Sequence, residues 1–172
     1  MSELDLFETE RLVLSGWRRD QLPDLVRLHG DPVVAKYLTH HGQPWSMEEM
    51  EAALDQWIEL YQTQRLGKMR VTRKSDGVLV GRCGFGVEPT GEPELGYSLF
   101  PEFWGNGYAF EAASGMRDWI FRETDHEFFI GSADVRNMAS IKILQKIGMI
   151  PTEVKPNYSG MVCQYHIMRR PQ

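Results

Sequence analysis

Gly105-Asn-Gly-Tyr-Ala109 joins a stretch that alternates like a strand, residues 94–100, to an amphipathic stretch, residues 108–121. The first amides of a helix have no partner within it, and the helix dipole adds partial positive charge there, so a helix start can bind phosphate. Glycine lets the backbone adopt left-handed dihedrals and approach a ligand closely. The stretch predicts a strand–loop–helix unit with a phosphate-binding loop or, as the simpler alternative, a tight turn that binds nothing.

Two well-known phosphate motifs are absent from this loop. Gly105 and Gly107 are followed by Phe110, so the loop lacks the GxGxxG spacing of dinucleotide-binding proteins. No Lys-Ser or Lys-Thr pair follows the glycines, as it would in a P-loop. A pyrophosphate held mainly by backbone amides needs neither motif.

A second motif, Asn137-x-x-Ser140, follows about thirty residues later and leads to Lys146-Ile-Gly-Met149. Asn at a helix start with Ser three residues on is a common N-terminal cap. The same spacing places both side chains on one helical face, where they can contact one ligand. Capping and ligand contact are therefore both open, and they are compatible.

Composition limits the classes of protein that the chain can belong to. With 172 residues and 42% hydrophobic content, we expect one domain, residues 8–172, with a substantial core. The chain lacks a long apolar run and its first eight residues are acidic, so we expect a cytoplasmic protein without a signal peptide. Cys83 and Cys163 are expected to be free thiols. The net charge of −5 argues against nucleic acid and suits a cationic amine.

Periodicity along the chain predicts a mixed sheet with helices on its faces, in the order β-α-α-β-β-β-α-β-α-β-β. The predicted strands are residues 11–14, 69–73, 78–87, 94–100, 127–133, 152–155 and 161–168. Three predicted helices begin after Asp20, Asp31 and Ser46, and two more span residues 108–121 and 137–147. The longest is predicted to end at Gly67, a residue type that often ends helices.

Other residues could carry chemistry. Alternation places Glu94 and Gly96 on one face of their strand and Tyr97 on the other. Glu94 could accept a proton directly or through water, and a solvated edge carboxylate is the alternative. The five histidines lack metal-ligand spacing, so no metal site is expected. Trp45, in a loop, is a candidate for an acceptor pocket, whereas Trp57 fits the core face of its helix.

Taken together, these segments resemble the GNAT superfamily of acetyl-CoA-dependent N-acetyltransferases, and within it the RimJ/RimL-like branch of ribosomal-protein N-terminal acetyltransferases. The resemblance covers nearly the whole chain. It is carried by Glu8-Thr-Glu-Arg-Leu-Val-Leu14, by Leu95-Gly-Tyr-Ser-Leu99 with Trp104-Gly-Asn-Gly-Tyr-Ala109, and by Asn137-x-x-Ser140 with Gly148-Met149. The resemblance implies an α/β (α+β) fold with a mixed, mostly antiparallel, splayed sheet of about seven strands and helices on both faces.

The resemblance also implies a donor and its contacts. Acetyl-CoA would bind in the splay of the sheet, with Asn137 in contact with it and Ser140 near its sulfur. Backbone groups around Ser98 and Leu99 would hold the pantetheine arm. The pyrophosphate would be held by amides of Gly105, Asn106, Gly107, Tyr108, Ala109 and Phe110.

The reaction implied is direct attack of a primary amine, either a protein N-terminal α-amine or a small amine, on the thioester. Backbone amide support near Leu99 is expected for the developing oxyanion. No covalent enzyme intermediate is needed, so neither cysteine is assigned as a nucleophile. Ser140 and Glu94 are the predicted catalytic residues, the serine as donor to the leaving thiolate and the glutamate as base.

The chain departs from the family pattern at two positions. Leu144 stands where many members carry a tyrosine acid, and Trp104 stands where many carry Gln or Arg. The missing tyrosine keeps open a non-catalytic acyl-CoA-binding module, and a longer acyl chain or another acceptor is a third alternative. Glu111 is expected to be structural. Neither a nucleic acid nor a membrane is an expected partner, and the sequence leaves open whether the chain forms a homodimer.

Overall fold

The computed structural model describes residues 2–172. Its strands are β1 (Asp5–Glu8), β2 (Leu12–Ser15), β3 (Gly67–Arg73), β4 (Leu79–Val87), β5 (Pro93–Leu99), β6 (Phe128–Asp134), β7 (Ile150–Pro156) and β8 (Val162–Arg169). Its α-helices are α1 (Leu22–His29), α2 (Pro32–Ala35), α3 (Met47–Gln64), α4 (Tyr108–Glu123) and α5 (Met138–Lys146). The three helices predicted after Asp20, Asp31 and Ser46 are all present, one more than the two in the predicted order, and β1 is a further addition; the rest of the order is confirmed.

All the strands join one sheet in the order β1-β2-β3-β4-β5-β6-β8-β7. Every neighbouring pair is antiparallel except β5 and β6, which are parallel. The mixed, mostly antiparallel sheet is therefore confirmed. It has eight strands instead of about seven because Asp5–Glu8 pairs with β2 at one edge.

The two central strands separate along their length. β5 and β6 pair only at Glu94 with Ile130 and at Leu95 with Gly131. Both strands continue beyond these pairs, to Leu99 and Asp134. A gap therefore opens between them past Leu95, which confirms the splayed sheet.

Helices cover both faces of the sheet. α1 and α3 enclose a cluster on one face, which we call the α1/α3 face. The members of this cluster are Trp17, Leu25, Met50, Leu54 and Trp57. α4 packs on the opposite face, where Met116 and Ile120 join Leu95 and Leu99 in the main core. No helix within residues 2–172 combines the length and the apolarity that a membrane crossing requires.

The long helix α3 begins as predicted and ends earlier. Ser46 and Glu49 form a reciprocal capping box at its start. At its end, Arg65 takes the left-handed conformation, with φ of 58°, while Gly67 opens β3. A Cβ at Gly67 would lie 2.8 Å from the Trp57 carbonyl oxygen, so this glycine permits close packing of strand on helix.

Candidate active site

The loop before α4 is a helix start without a side-chain cap. Gly105 and Gly107 are both left-handed, with φ of 78° and 79°, and Gly107 is the N-cap residue. Within residues 2–172 no side chain caps α4, so its first amides remain available to a ligand. Nothing lies within 4 Å of a Cβ built at Gly105, so this side of the loop is open. The predicted strand–loop–helix is confirmed, and phosphate binding stays a prediction.

Side chains fix the shape of this loop from within. Trp104 Nε1 donates to the Leu99 carbonyl at 3.0 Å, which ties the loop to the end of β5. Asn106 Nδ2 donates to the carbonyls of Phe103 and Trp104 at 3.0 and 3.1 Å. The tryptophan that departs from the family pattern is therefore part of the loop scaffold, and the Asn106 amide group is occupied within the turn.

Arg11 supports the loop and was not among the predicted site residues. Its Nη1 donates to the Asn106 carbonyl at 2.9 Å, and its Nε pairs with Glu111 at 2.7 Å. Burial would raise the pKa of Glu111, but hydrogen bonds from Thr9 and Arg11 hold it below its usual range. Glu111 is thus structural, as expected, and Arg11 brings positive charge beside the start of α4.

The backbone of β5 presents alternate residues to the gap. Phe100 N donates to Val80 O, and Ser98 is opposite Arg82 in the same ladder. Because hydrogen-bonded pairs alternate along an antiparallel ladder, the Ser98 backbone faces β4, and the backbones of Tyr97 and Leu99 face the gap. The structure therefore brings Leu99 to the predicted cofactor site and turns Ser98 away from it. The Leu99 carbonyl accepts from Trp104, so the Leu99 amide is the backbone group of this residue that remains available in the gap.

α5 contributes Asn137 and Ser140 to the other side of the gap. Asn137 Oδ1 accepts from Ser140 N at 3.2 Å, so its capping role is confirmed. Ser140 Oγ donates to Tyr97 Oη at 3.0 Å, and Tyr97 Oη donates to the Ser140 carbonyl at 2.9 Å. Tyr97 therefore bridges β5 and α5 on the α4 side of the sheet, beside the predicted sulfur position. Burial raises the pKa of Tyr97 well above its usual range. Leu144 is buried, so the tyrosine role in the family stays vacant there.

Glu94 lies on the opposite, α1/α3 face of β5, as the alternation predicted. It is partly buried, and its carboxyl group shares a hydrogen bond with that of Glu88. This hydrogen bond, with burial, raises the pKa of Glu88 to about 8, so Glu88 keeps its proton near neutral pH. The structure does not bring the two predicted catalytic residues together, because Glu94 and Ser140 lie on opposite faces of the sheet.

Buried basic groups lie beside Glu94 on the α1/α3 face. Arg82 Nε donates to His29 Nε2 at 3.0 Å, and Ser98 Oγ lies 3.2 Å from the same nitrogen. Burial and the Arg82 charge hold the pKa of His29 well below its usual value, so the imidazole is neutral. Burial and Arg82 also lower the pKa of Lys68 to about 8. The ring of Trp45, the predicted pocket aromatic, packs 4.2 Å from that of His29.

The sequence profile of the acetyltransferase (GNAT) domain matches residues 11–150. The chain belongs to the GNAT acetyltransferase family. It is therefore an acyltransferase that uses an acyl-CoA donor, as the sequence resemblance implied. Trp57, which is buried, belongs to the core of this GNAT domain, also as predicted.

Curated relatives and solved structures agree with this assignment. The uncharacterized N-acetyltransferase p20 of Bacillus licheniformis is 26% identical over 147 residues, which cover 84% of this chain and 82% of the relative. An acetyltransferase structure from Agrobacterium tumefaciens superposes with a TM-score of 0.83 at 22% identity, over 98% of this chain and 96% of that one. RimL, a ribosomal-protein α-N-acetyltransferase solved with coenzyme A, has a TM-score of 0.77 at 17% identity, over 94% and 95%. The last two likenesses show that the fold is shared.

The residues present suit the donor that the family uses. The gap past Leu95 gives an extended arm access to strand backbone, and the uncapped start of α4 gives phosphate groups free amides. Cys83 and Cys163 are fully buried, and burial raises their pKa values to about 12 and about 11. Neither thiol is set up as a nucleophile, because the thiolate is the reactive form.

Proposed function

We propose that this GNAT enzyme transfers an acetyl group from acetyl-CoA to a primary amine by direct attack in a ternary complex. The acceptor is a protein N-terminal α-amine or a small amine. One observation carries the proposal: the strands diverge past Leu95 beside the uncapped start of α4, and a carboxyl pair and a hydroxyl pair lie on opposite sides of β5 at that point.

The donor side is built from main chain and nearby cations. Amides of residues 105–110 hold the pyrophosphate, supported by the helix dipole and by Arg11. Lys146 Nζ lies 4.2 Å from the Phe110 ring centroid and adds a second positive charge at the start of α4. Asn137 contacts the donor from the start of α5. Acetyl-CoA supplies an acyl carbonyl that is activated as a thioester.

The acceptor side is the α1/α3 face. Glu94 and its partner Glu88 accept the proton that the amine loses. The Glu88 carboxyl, with a pKa of about 8, matches an α-amine, whose pKa is also about 8, and matched pKa values favour proton transfer near neutral pH. Positioning of the amine contributes further, because a bound nucleophile reacts without the entropic cost of encounter.

The leaving-group side is the hydroxyl pair. Ser140 Oγ and Tyr97 Oη lie on the α4 side of β5, where the sulfur is expected, and both can donate a hydrogen bond. A donated hydrogen bond stabilises a thiolate without full proton transfer. Tyr97 was not assigned to the site from the sequence, although its alternation with Glu94 gave its face.

The buried Leu144 favours one other candidate function, a non-catalytic acyl-CoA-binding module. Such a module keeps the donor site and releases no thiol. Turnover separates the two candidates directly.

The first test is titration calorimetry of the purified chain with acetyl-CoA and, for comparison, with free coenzyme A. Saturable binding of both, followed by thiol release when amines are added, supports the proposal. Binding of both without thiol release from any amine supports the binding module instead. A folded chain that binds neither ligand at millimolar concentration overturns both functions.

A further inference from the structure

Two basic side chains converge above one glycine on the α1/α3 face. A Cβ built at Gly96 would lie 2.6 Å from Lys68 Nζ and 3.7 Å from Arg82 Nη1. The three residues come from β3, β4 and β5, which are neighbours in the sheet. Gly96 is also the first residue of β5 past its last pair with β6. The two cations therefore meet where the gap begins, within bridging reach of a single anion.

Neither charge has a salt-bridge partner among residues 2–172, and Glu94 acts on both only from a longer distance. No carboxylate there lies within 4.0 Å of either basic group. Arg82 is 5% exposed, it donates its Nε to a neutral imidazole, and its buried Nη1 has no hydrogen-bond partner among these residues. Lys68 Nζ makes only long hydrogen bonds, 3.3 and 3.4 Å, to the Gly84 and Glu94 carbonyls. Like charges side by side, one of them buried, are costly unless an anion joins them.

The position of these charges identifies where the anion comes from. Gly96 lies between Glu94 and Ser98 on the same face, and a strand rise of about 3.3 Å per residue places it about 6.6 Å from each. This is the face from which the acceptor amine approaches the proposed base. Gly96 and Lys68 are both partly exposed, so an incoming molecule can reach them. An anion bound here would belong to the acceptor.

We propose that Lys68 and Arg82 bind the carboxylate of the acceptor, which is an α-amino acid or a comparably short zwitterion. This inference rests on the proposed acetyltransferase function and narrows its acceptor. A polyamine or an aminoglycoside would bring additional positive charge beside two cations and be repelled. A protein N-terminus places a neutral peptide group where the carboxylate would lie and leaves the cations unpaired. Lys68 and Arg82 select an acceptor that carries a carboxylate, while Glu94 receives the proton from its amine.

The first test changes the acceptor and leaves the enzyme unchanged. The standard α-amino acids that have a primary amine and no thiol of their own are each compared with their carboxamide, and with a tripeptide of the same first residue, in a thiol-release assay at saturating acetyl-CoA. For the best amino acid, kcat/KM should exceed that of its own carboxamide by about 30-fold, as expected for paired hydrogen bonds to a charge. A carboxamide or peptide that equals or exceeds its amino acid overturns the inference, and so does turnover confined to amines without a carboxylate.

The second test changes the enzyme. Lys68→Met should lower kcat/KM for the amino acid about 30-fold. The kcat/KM for its carboxamide should fall much less, the KM for acetyl-CoA should stay within about twofold, and Lys68→Arg should restore most of the loss. Arg82→Gln should act the same way if it folds. The matched control is Lys74→Met, which removes an exposed cation that pairs with Glu8. Equal losses for acid and carboxamide in Lys68→Met would overturn the inference.

The two proposals fail in different ways. Without acetyl-CoA binding or thiol release, the proposed function itself is lost. With normal thiol release from amines that lack a carboxylate, and no effect of Lys68→Met on discrimination, only the acceptor assignment is lost.

Discussion

At the scale of single residues, Ser140 is the hydroxyl group proposed to donate to the leaving thiolate. Its Oγ donates to Tyr97 Oη, whereas its backbone amide donates to the Asn137 side chain. The hydroxyl group can therefore rotate toward a sulfur while the cap at Asn137 stays in place. We expect Ser140→Ala to lower kcat about 10-fold, as for loss of one charge-assisted hydrogen bond, with the KM for acetyl-CoA unchanged. Steady-state thiol release measures both constants.

The matched control for this prediction is Ser114→Ala. Ser114 Oγ is a buried hydroxyl on α4 with no hydrogen-bond partner among residues 2–172, so its loss should leave kcat unchanged. If Ser140→Ala and Ser114→Ala both turn over like the wild type, Ser140 is a helix residue only. A kcat lowered equally by both would point to a general effect of removing hydroxyl groups on packing.

The carboxyl pair predicts a pH dependence. Glu88, hydrogen-bonded to Glu94 and partly buried, has a pKa raised to about 8, so Glu88 gains its negative charge only as pH rises through that value. The kcat of the wild type should therefore rise with pH and level off above about pH 8. In Glu88→Gln this rise should disappear, because the group that titrates near pH 8 is gone. The pH profile of kcat with one acceptor measures both.

Two comparisons test whether the carboxyl pair acts as the base. The acceptor amine titrates identically with both enzymes, so any displacement between the profiles belongs to the carboxyl pair. Superimposable profiles would contradict the assignment of the pair as base, and Glu94→Gln should lower kcat about 100-fold.

The pH dependence of stability that follows from this pKa has the opposite sign to that of kcat. A raised pKa means that the folded state holds the proton more tightly, so this contribution is present at acidic pH and lost as pH rises through about 8.

At the scale of elements, the loop before α4 can be tested with two glycines of similar conformation. Gly107 and Gly77 have φ of 79° and 71°, and both are exposed. A substitution at either carries a similar left-handed penalty, about 1 kcal/mol. Only Gly107→Trp also fills the proposed phosphate loop, so it should raise the Kd for acetyl-CoA more than about 100-fold by removing the amide contacts. Gly77→Trp should bind normally.

Calorimetric titration of both variants, after circular dichroism has shown that they are folded, checks this prediction. Normal affinity in a folded Gly107→Trp would remove the loop from the donor site. Equal weakening by Gly77→Trp, which lies in the turn between β3 and β4, would show that backbone strain and not the filled loop was measured.

Most of the elements could be predicted because their periods are clear. Apolar residues recur at helical spacing in α3 and α4, and Ser46 and Gly107 mark their starts. β1 was missed because Asp5–Glu8 is short, acidic and at an edge, so it lacks the pattern of a buried strand. The end of α3 was misplaced at Gly67, because that glycine serves close packing against Trp57 and not helix termination.

The candidate site was predictable only where its parts are consecutive. The loop of residues 105–110 and the Asn137 cap are local motifs, so spacing reveals them. Arg82, Lys68 and His29 come together from β4, β3 and α1, and only the folded sheet shows that they face Gly96. A signal did exist: Arg82 is a charged residue in the middle of a strand that is otherwise buried. A charge in that position usually has a salt-bridge partner, and here the described residues provide only the neutral His29.

At the scale of the whole molecule, the gap divides the sheet into β1–β5 and β6–β8. The halves are joined by two residue pairs in the sheet and by contacts such as Tyr97 with Ser140. A donor that fills the gap touches both halves and should stabilise the fold. At 100 times its Kd, acetyl-CoA should add about 2.7 kcal/mol, a rise of roughly 5–10 °C in Tm for a chain of this size. Thermal unfolding measures the shift, and no shift would contradict binding to the folded state at that concentration.

The geometry of the gap predicts different rates of hydrogen exchange for alternate amides of β5. The amides of Tyr97 and Leu99 face the gap, and those of Gly96 and Ser98 pair with β4. Hydrogen exchange followed by NMR should therefore find Tyr97 and Leu99 fast and their neighbours slow in the free protein. Saturating acetyl-CoA should slow exchange of the Tyr97 and Leu99 amides at least about 10-fold and leave those of Gly96 and Ser98 unchanged. The donor would accept the hydrogen bonds of the first two amides, which have no acceptor on β6. Uniform protection of all four amides in the free protein would mean that β5 and β6 are closed in solution, and the donor would then have to bind elsewhere.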